Sequence, residues 1–243
     1  SRNNAFSMMG FDTFTSKECM NISQYTPNGN WPTDDVLVQE TVKAMNATEN
    51  QSDFVYTITV EGHGDYPTEK LLENPDILVS GAADEASNNQ WEYYVNMIHE
   101  VDDFIGDLIT AVDRRGEDTI IVFFGDHLPT MGLTDADMKS GDIFKTKYIT
   151  WNNMGLAKKD ADLTAYQLLA HITDQAGIHE GTMFRYHQTQ TASETYLSGL
   201  EDLQYDLLYG KRYTYGGEDR YPASDLVMDV ESPLSARIQA TIP

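Results

Sequence analysis

Adjacent Asp126 and His127 carry side chains suited to binding a metal ion, since they place a carboxylate oxygen beside an imidazole nitrogen. They follow an apolar run over residues 119–124, which predicts a strand buried on both faces, as in a parallel sheet. Pro129 prevents that strand from continuing. Because ligands bind outside the carboxyl ends of strands in open α/β sheets, the position favours a metal site. The alternative is an ordinary turn in which Asp126 caps the next segment.

His63 occupies a similar position after a second apolar run. Residues 53–60 (DFVYTITV) predict another buried strand, and the loop 61–67 follows it directly. Glycines on both sides of His63 allow the backbone to turn sharply and leave the imidazole accessible. A histidine simply packed in a turn is the alternative interpretation.

A long helix between the two predicted strands would position both loops. Apolar residues recur at steps of three and four from about Ser87 to Arg115, and Gly116 ends the pattern. A strand, a helix and a second strand in this order predict a right-handed crossover between parallel strands. The stripe expected to face the core comprises Trp91, Val95, Ile98, Val101, Ile105, Leu108 and Val112.

Shorter patterns predict the remaining elements. A helix is expected over 36–45 with Thr33 or Asp34 as its cap, and a third strand is expected over 147–151. A further helix is expected over 163–176. The Tyr-rich remainder is less periodic and predicts a C-terminal extension that packs on the domain, with an antiparallel edge hairpin as one possible form.

Composition limits the classes of partner. The chain has 243 residues, with 16 Lys and Arg against 39 Asp and Glu, for a formal net charge of -23. Its field repels polyanions, so we expect no nucleic-acid partner. A single cysteine, Cys19, excludes an internal disulfide and a cysteine-based zinc cluster. No apolar run approaches the roughly 18 residues that a membrane span needs.

These motifs, taken in order, resemble those of one family. GFDTF at 10–14 is followed by the His63 loop, then by IIVFFGDHLP at 120–129, KYITW at 147–151 and LQYDLLYGKRY at 203–213. The order looks like the C-terminal part of the extracellular catalytic domain of lipoteichoic acid synthase-like phosphoglycerol transferases, within the sulfatase and alkaline phosphatase superfamily. The resemblance implies an α/β fold with a mostly parallel central sheet between helices. It implies that residues 1–213 are part of the catalytic domain and 214–243 an extension.

The resemblance also implies roles for individual residues. Asp126 and His127 match the motif that binds one divalent ion, manganese or magnesium. His63 and Arg2 match residues that contact the phosphoglycerol or sulfate ester substrate. The nucleophilic threonine and an acidic metal ligand of such enzymes lie upstream of GFDTF, so we expect a fragment with an incomplete metal site, inactive alone. The parent protein would act at the extracellular face of a bacterial cytoplasmic membrane, anchored in it.

The missing upstream strands predict partners for the exposed sheet edge. We expect that edge to be covered by the N-terminal part of the same protein, by residues 1–35, or by a second copy in an edge-to-edge homodimer. Two other functions stay open: a sulfatase or phosphodiesterase hydrolase of the same superfamily, and a non-catalytic module that binds a glycan or wall polymer through His63 and Trp31.

Overall fold

The computed structural model describes residues 2–218, which belong to two compact units. The strand unit is Ser16–Met154. The helical unit combines Ser1–Thr15 with Gly155–Pro243, of which residues 2–15 and 155–218 are described. The regular elements within residues 2–218 are, in chain order, α1 (Arg2–Met8), α2 (Val36–Met45), α3 (Glu85–Asp113), β1 (Ile120–Phe124), β2 (Tyr148–Asn152), α4 (Leu168–Gln175), α5 (Thr182–Gln190) and α6 (Tyr196–Leu208).

The core of the strand unit lies between α2 and α3. Leu37 of α2 packs with three residues spaced four apart on α3, namely Phe104, Leu108 and Val112. This spacing places the three side chains on one face of the helix. The inner residues of β1 and β2 cover the cluster from the other side, with Ile121, Phe123 and Trp151 packed against it. The predicted helices over 36–45 and about 87–115 are therefore confirmed.

The two described strands pair antiparallel, with Ile120 opposite Asn152 and Phe124 opposite Tyr148. Both strands were predicted, but the parallel arrangement expected around β1 is wrong for this pair. The chain between them, residues 125–147, contains only a short 3-10 helix at Asp135–Asp137, so it reverses direction without the crossover helix that a parallel pair requires. A parallel central sheet stays a prediction for the whole protein.

The predicted strand over 53–60 lies outside any β-strand of the described chain. It is largely exposed, with Phe54 at 60% of its full accessibility. An apolar run becomes a strand only where a neighbouring backbone completes its hydrogen-bond ladder. Here the N–H of Val60 instead donates to a side chain, the carboxylate of Asp34, at 2.9 Å. The prediction of a buried strand is therefore wrong for this part of the chain.

The helical unit is built from α1, α4, α5 and α6. The helix predicted over 163–176 is observed as a 3-10 turn at Ala165–Gln167 followed by α4, and α4 packs against α5. The segment from 182 to 208, for which the less periodic sequence predicted no helix, forms α5 and α6. The predicted extension lies outside the described residues from residue 219 onward, and the division at residue 213 stays a prediction. No helix within residues 2–218 is long and apolar enough to cross a membrane.

Candidate functional site

The loops that carry His63 and His127 meet within the strand unit. Their imidazole rings lie 6.2 Å apart between centroids, at 80° to each other. Both residues are exposed, as is Asp126. Two segments far apart in sequence thus place three chemically capable side chains beside one another on an accessible surface.

The Asp126–His127 pair has the geometry of two ligands of one ion. His127 Nδ1 lies 2.9 Å from the carbonyl oxygen of Leu128, which can only accept, so Nδ1 carries the hydrogen and Nε2 keeps a lone pair. That Nε2 lies 3.7 Å from Asp126 Oδ1. Because imidazole and carboxylate ligands each lie about 2 Å from a divalent ion, atoms up to about 4 Å apart can contact the same ion. The pair therefore fits a divalent metal.

The fit is partial. Nowhere in residues 2–218 do three His, Cys, Asp or Glu side chains form a group that could hold a metal ion. Two ligands leave most of the coordination sphere to water or to protein groups outside the described chain. The Asp126 carboxylate, 83% exposed, accepts a hydrogen bond from the N–H of its neighbour His127 at 2.9 Å. No described helix starts directly after it, which disfavours the helix-capping interpretation.

The backbone around His63 is held by several hydrogen bonds. His63 Nδ1 lies 2.7 Å from the Gly64 carbonyl oxygen, and the same oxygen accepts from Trp31 Nε1 at 2.7 Å. The indole lies against the imidazole with ring centroids 4.8 Å apart. Tyr66 donates its hydroxyl hydrogen to the Gly62 carbonyl at 3.1 Å, and burial raises the pKa of Tyr66 to about 12. The hydroxyl therefore stays a donor at physiological pH.

Two buried carboxylates lie directly behind this loop. Asp34, 1% exposed, accepts from the N–H groups of Val60 and Glu61 at 2.9 and 3.1 Å. Glu61, 5% exposed, accepts in return from the Asp34 N–H at 2.9 Å. Burial raises the pKa of both acids, to about 7 for Glu61, because a charged carboxylate loses hydration in this position. Glu61 therefore titrates near neutrality.

Arg2, the fourth predicted site residue, is exposed and begins α1 in the helical unit. Its contact with a substrate stays a prediction, as do the metal-binding roles of Asp126 and His127 and the substrate-binding role of His63. The structure brings His63 and His127 together within one unit.

Sequence reasoning missed the residues that support the loop. Asp34 was expected to cap α2, yet its side chain bonds Val60 and Glu61, and the cap position of α2 is Asp35. Trp31 was considered only as an exposed aromatic, whereas it is half-buried and donates to Gly64. One signal for this support was available in the sequence. Glu61 places a carboxylate between an apolar run and a glycine, a position where a surface charge has no evident role.

Comparison with known proteins places the chain in a family. A protein from Rhizobium meliloti (strain 1021), named for a proposed role in cyclic beta-1,2-glucan modification, is 25% identical over 255 residues. The match covers 88% of this chain and 39% of that relative, so the chain spans about two fifths of the relative's length. No solved structure gives a significant match. The sulfatase family model matches residues 1–199, and the chain belongs to the sulfatase family.

Proposed function

We propose that this chain is part of a divalent-metal-dependent phosphoglycerol transferase that modifies a cell-envelope glycan or glycolipid. The observation that carries the proposal is the pairing of His63 with the Asp126–His127 turn, at 6.2 Å between imidazole centroids. Membership of the sulfatase family supports an enzyme that acts on sulfate or phosphate esters. The name of the Rhizobium meliloti relative supports a glucan as the acceptor.

Each residue has a distinct part in the proposed reaction. When bound at Asp126 and His127, manganese or magnesium would withdraw charge from phosphoryl oxygens and acidify a coordinated hydroxyl. The His63 Nδ1–H donates to the Gly64 carbonyl, which leaves Nε2 as the ring nitrogen available to a substrate. A protonated Nε2 can hold a phosphate oxygen or deliver a proton to the departing alkoxide. Arg2 would supply a planar fork for phosphate oxygens.

The remaining parts of the site lie outside the described residues in this proposal. The nucleophile, the third metal ligand and the membrane anchor would come from the N-terminal part of the same protein. That part would also cover the exposed segment 53–60, in which Phe54, Tyr56 and Ile58 are all at least 40% exposed. Light scattering of this chain alone tests the alternative, because a concentration-dependent dimer would show that a second copy covers the segment.

The test is a transfer assay with the whole protein. It would be supplied with a chromogenic phosphoglycerol ester, manganese or magnesium, and cyclic beta-1,2-glucan. We expect glucan that has gained glycerol phosphate, detected by mass spectrometry, and loss of the product with Asp126→Asn or His63→Gln. Free glycerol phosphate without labelled glucan would identify a hydrolase. Glucan binding with no turnover of any ester would identify a non-catalytic module and refute the proposal.

A further inference from the structure

The segment 28–34 is bonded to the His63 loop and to Val60 just before it through Asn28, Trp31 and Asp34. Three bonds join Asp34 with Val60 and Glu61 through backbone N–H groups and the two carboxylates, at 2.9 to 3.1 Å. Farther along, Trp31 donates to the Gly64 carbonyl. The Asn28 side chain completes the series by donating to the Asp65 carbonyl at 2.9 Å. The two segments are therefore held in one register on both sides of His63.

The opposite side of the loop rests on α3. An added Cβ at Gly62 would lie 3.0 Å from Ile98 Cδ1, so the loop backbone is in close contact with the helix. Tyr66 packs edge-on against Tyr94 at 5.4 Å between ring centroids. The side chain of Gln90 donates to the Tyr66 carbonyl at 3.1 Å. Segment 28–34 and α3 thus enclose the loop, and the His63 ring projects from it exposed.

The Asp34–Glu61 contact is buried, and burial favours a fixed geometry of its hydrogen bonds. Both carboxylates are at most 5% exposed, so water has little access to replace a lost acceptor. The bonds are reciprocal, and each residue holds the backbone of the other. A shift of residue 61 displaces the Gly62–His63 backbone directly, because only Gly62 separates Glu61 from His63 in the chain.

We propose that Asp34 and Glu61 are positioning residues that fix the place of the His63 imidazole against Trp31 and His127. Neither acid needs to touch substrate for this role. They set the 4.8 Å contact with the indole and the 6.2 Å separation from the His127 ring. The inference rests on the proposed function only in treating His63 as substrate-binding, since the loop geometry is independent of any activity.

Nuclear magnetic resonance of the histidine side chains tests the positioning directly. The Trp31 ring current shifts the His63 imidazole resonances, and Trp31→Leu identifies the size of that shift. At fixed pH we expect Asp34→Asn to abolish most of it, because the amide places a donor against a buried N–H. Glu61→Ala should do the same, whereas Glu61→Gln keeps an acceptor for the Asp34 N–H and should restore most of the shift.

Glu92→Gln is the matched control. Glu92 is likewise buried and accepts from a backbone N–H, that of Val79 at 3.3 Å, outside the His63 loop. Thermal unfolding shows which variants fold. The proposal is overturned if folded Asp34→Asn and Glu61→Ala keep the wild-type ring-current shift, or if Glu92→Gln loses it equally. It is also overturned if neither Asp34→Asn, Glu61→Ala nor Glu61→Gln folds, because the pair would then serve the fold alone.

A binding measurement separates this inference from the proposed function. Glycerol 1-phosphate is titrated against the whole protein while the His63 resonances are followed. With His63 displaced we expect roughly tenfold weaker binding, the size typical of losing a partner that orients a ligand-binding group. If the wild type does not bind glycerol 1-phosphate, the proposed function fails while the ring-current result still decides the positioning role. If Asp34→Asn loses the shift and binds equally well, positioning by the pair does not extend to the substrate.

Discussion

The two loops of the candidate site are supported very differently. The His63 loop is enclosed by buried carboxylates and by α3, and its backbone carbonyls at 62, 64 and 65 all accept from side chains elsewhere in the strand unit or the loop. The Asp126–His127 turn is open: His127 has a side-chain exposure of 57%, and it forms hydrogen bonds with its own neighbours Asp126 and Leu128. A backbone bond from the Gly125 N–H to the Lys147 carbonyl at 3.1 Å ties the turn to the residue just before β2.

This difference in support matches the role proposed for each loop. A group that holds an anion by hydrogen bonds must have its position set by the protein, since a displaced donor loses geometry as well as strength. Metal ligands gain orientation from the ion itself when it binds. The Asp126–His127 turn therefore needs few contacts with the rest of the protein before the ion binds. The His63 loop, in contrast, needs its supporting contacts before the substrate binds. Substitutions in the two loops should accordingly separate loss of activity from loss of stability.

Asp126→Ala should produce the largest effect, and on activity alone. Removing a proposed metal ligand from the whole protein should lower kcat/KM in the transfer assay by about 1,000-fold, the upper range for losing one group that stabilises transition-state charge. Its free energy of unfolding should change by no more than about 0.5 kcal/mol, because the side chain is exposed. Urea unfolding of the same preparation checks the second part. A large loss of stability would show that the turn is a structural support.

Asp34→Ala should give the opposite result, with a large loss of stability. It leaves the buried N–H groups of Val60 and Glu61 without their acceptor, at a cost of about 1 to 3 kcal/mol each. We therefore expect the free energy of unfolding to fall by roughly 2 to 4 kcal/mol in urea. The neighbouring Asp35→Ala is the control, since Asp35 is exposed and makes no capping bond to α2. Equal effects of the two substitutions would contradict a stabilising role for the bonds between Asp34 and residues 60 and 61.

The sequence predicted the elements whose signals are local. The 3.6-residue periodicity of α3 is sufficient because a helix makes its backbone hydrogen bonds within its own residues. The β-branched run of β1 is a correct strand prediction because β2 supplies its hydrogen-bonding partner. The buried face of α3 was only half predicted. Leu108 and Val112 are buried as expected, but in its first half the buried apolar side chains are Tyr93 and Met97, and the expected Ile98 is 41% exposed. The apolar residues of that helix serve two faces, and periodicity alone cannot say which one meets α2.

The proximity of His63 to His127 was predicted, and the residues that support the His63 loop were missed. Histidine after a strand-like run is a visible signal, so His63 and His127 were both selected before their rings were known to lie together. The Asp34–Glu61 contact joins residues 27 apart in the chain, and the local pattern around either residue does not identify the other as its partner. The strand prediction over 53–60 failed for a related reason, because a strand depends on a partner backbone that its own residues do not specify.

The stability of the His63 loop should depend on pH through Glu61. Its pKa in the folded protein is about 7, raised by burial from an ordinary value of 4.5. The folded state thus holds a proton that the unfolded state has lost, so this contribution is complete below pH 4.5 and disappears as pH rises through about 7. Between these limits the stability difference between wild type and Glu61→Gln should move by roughly 2 to 3 kcal/mol against wild type.

Urea unfolding of wild type and Glu61→Gln at a series of pH values measures that difference. Taking the difference removes most contributions from other acids, whose pH dependence is common to both proteins. Glu92→Gln provides the parallel series for a buried carboxylate outside the loop. A difference that is flat between pH 4.5 and 8 would show that Glu61 remains charged in the folded state.

The smallest expected effect concerns the contact between the loop and α3. Gly62→Ala would place a methyl group 3.0 Å from Ile98 Cδ1, which is closer than van der Waals contact, but Ile98 is 41% exposed and can move. We expect a loss of about 1 kcal/mol in the free energy of unfolding. Gly106→Ala in α3 is the control, because nothing lies within 4 Å of the added Cβ and alanine favours the helix, so it should stabilise by up to about 1 kcal/mol.

Ile98→Val removes Cδ1, and in the double variant it should relieve most of the Gly62→Ala cost, giving a coupling of at least about 0.5 kcal/mol in urea unfolding. Additive effects of the two substitutions would mean that the loop does not rest on Ile98, and its contact with α3 would then depend on Tyr94 and Gln90.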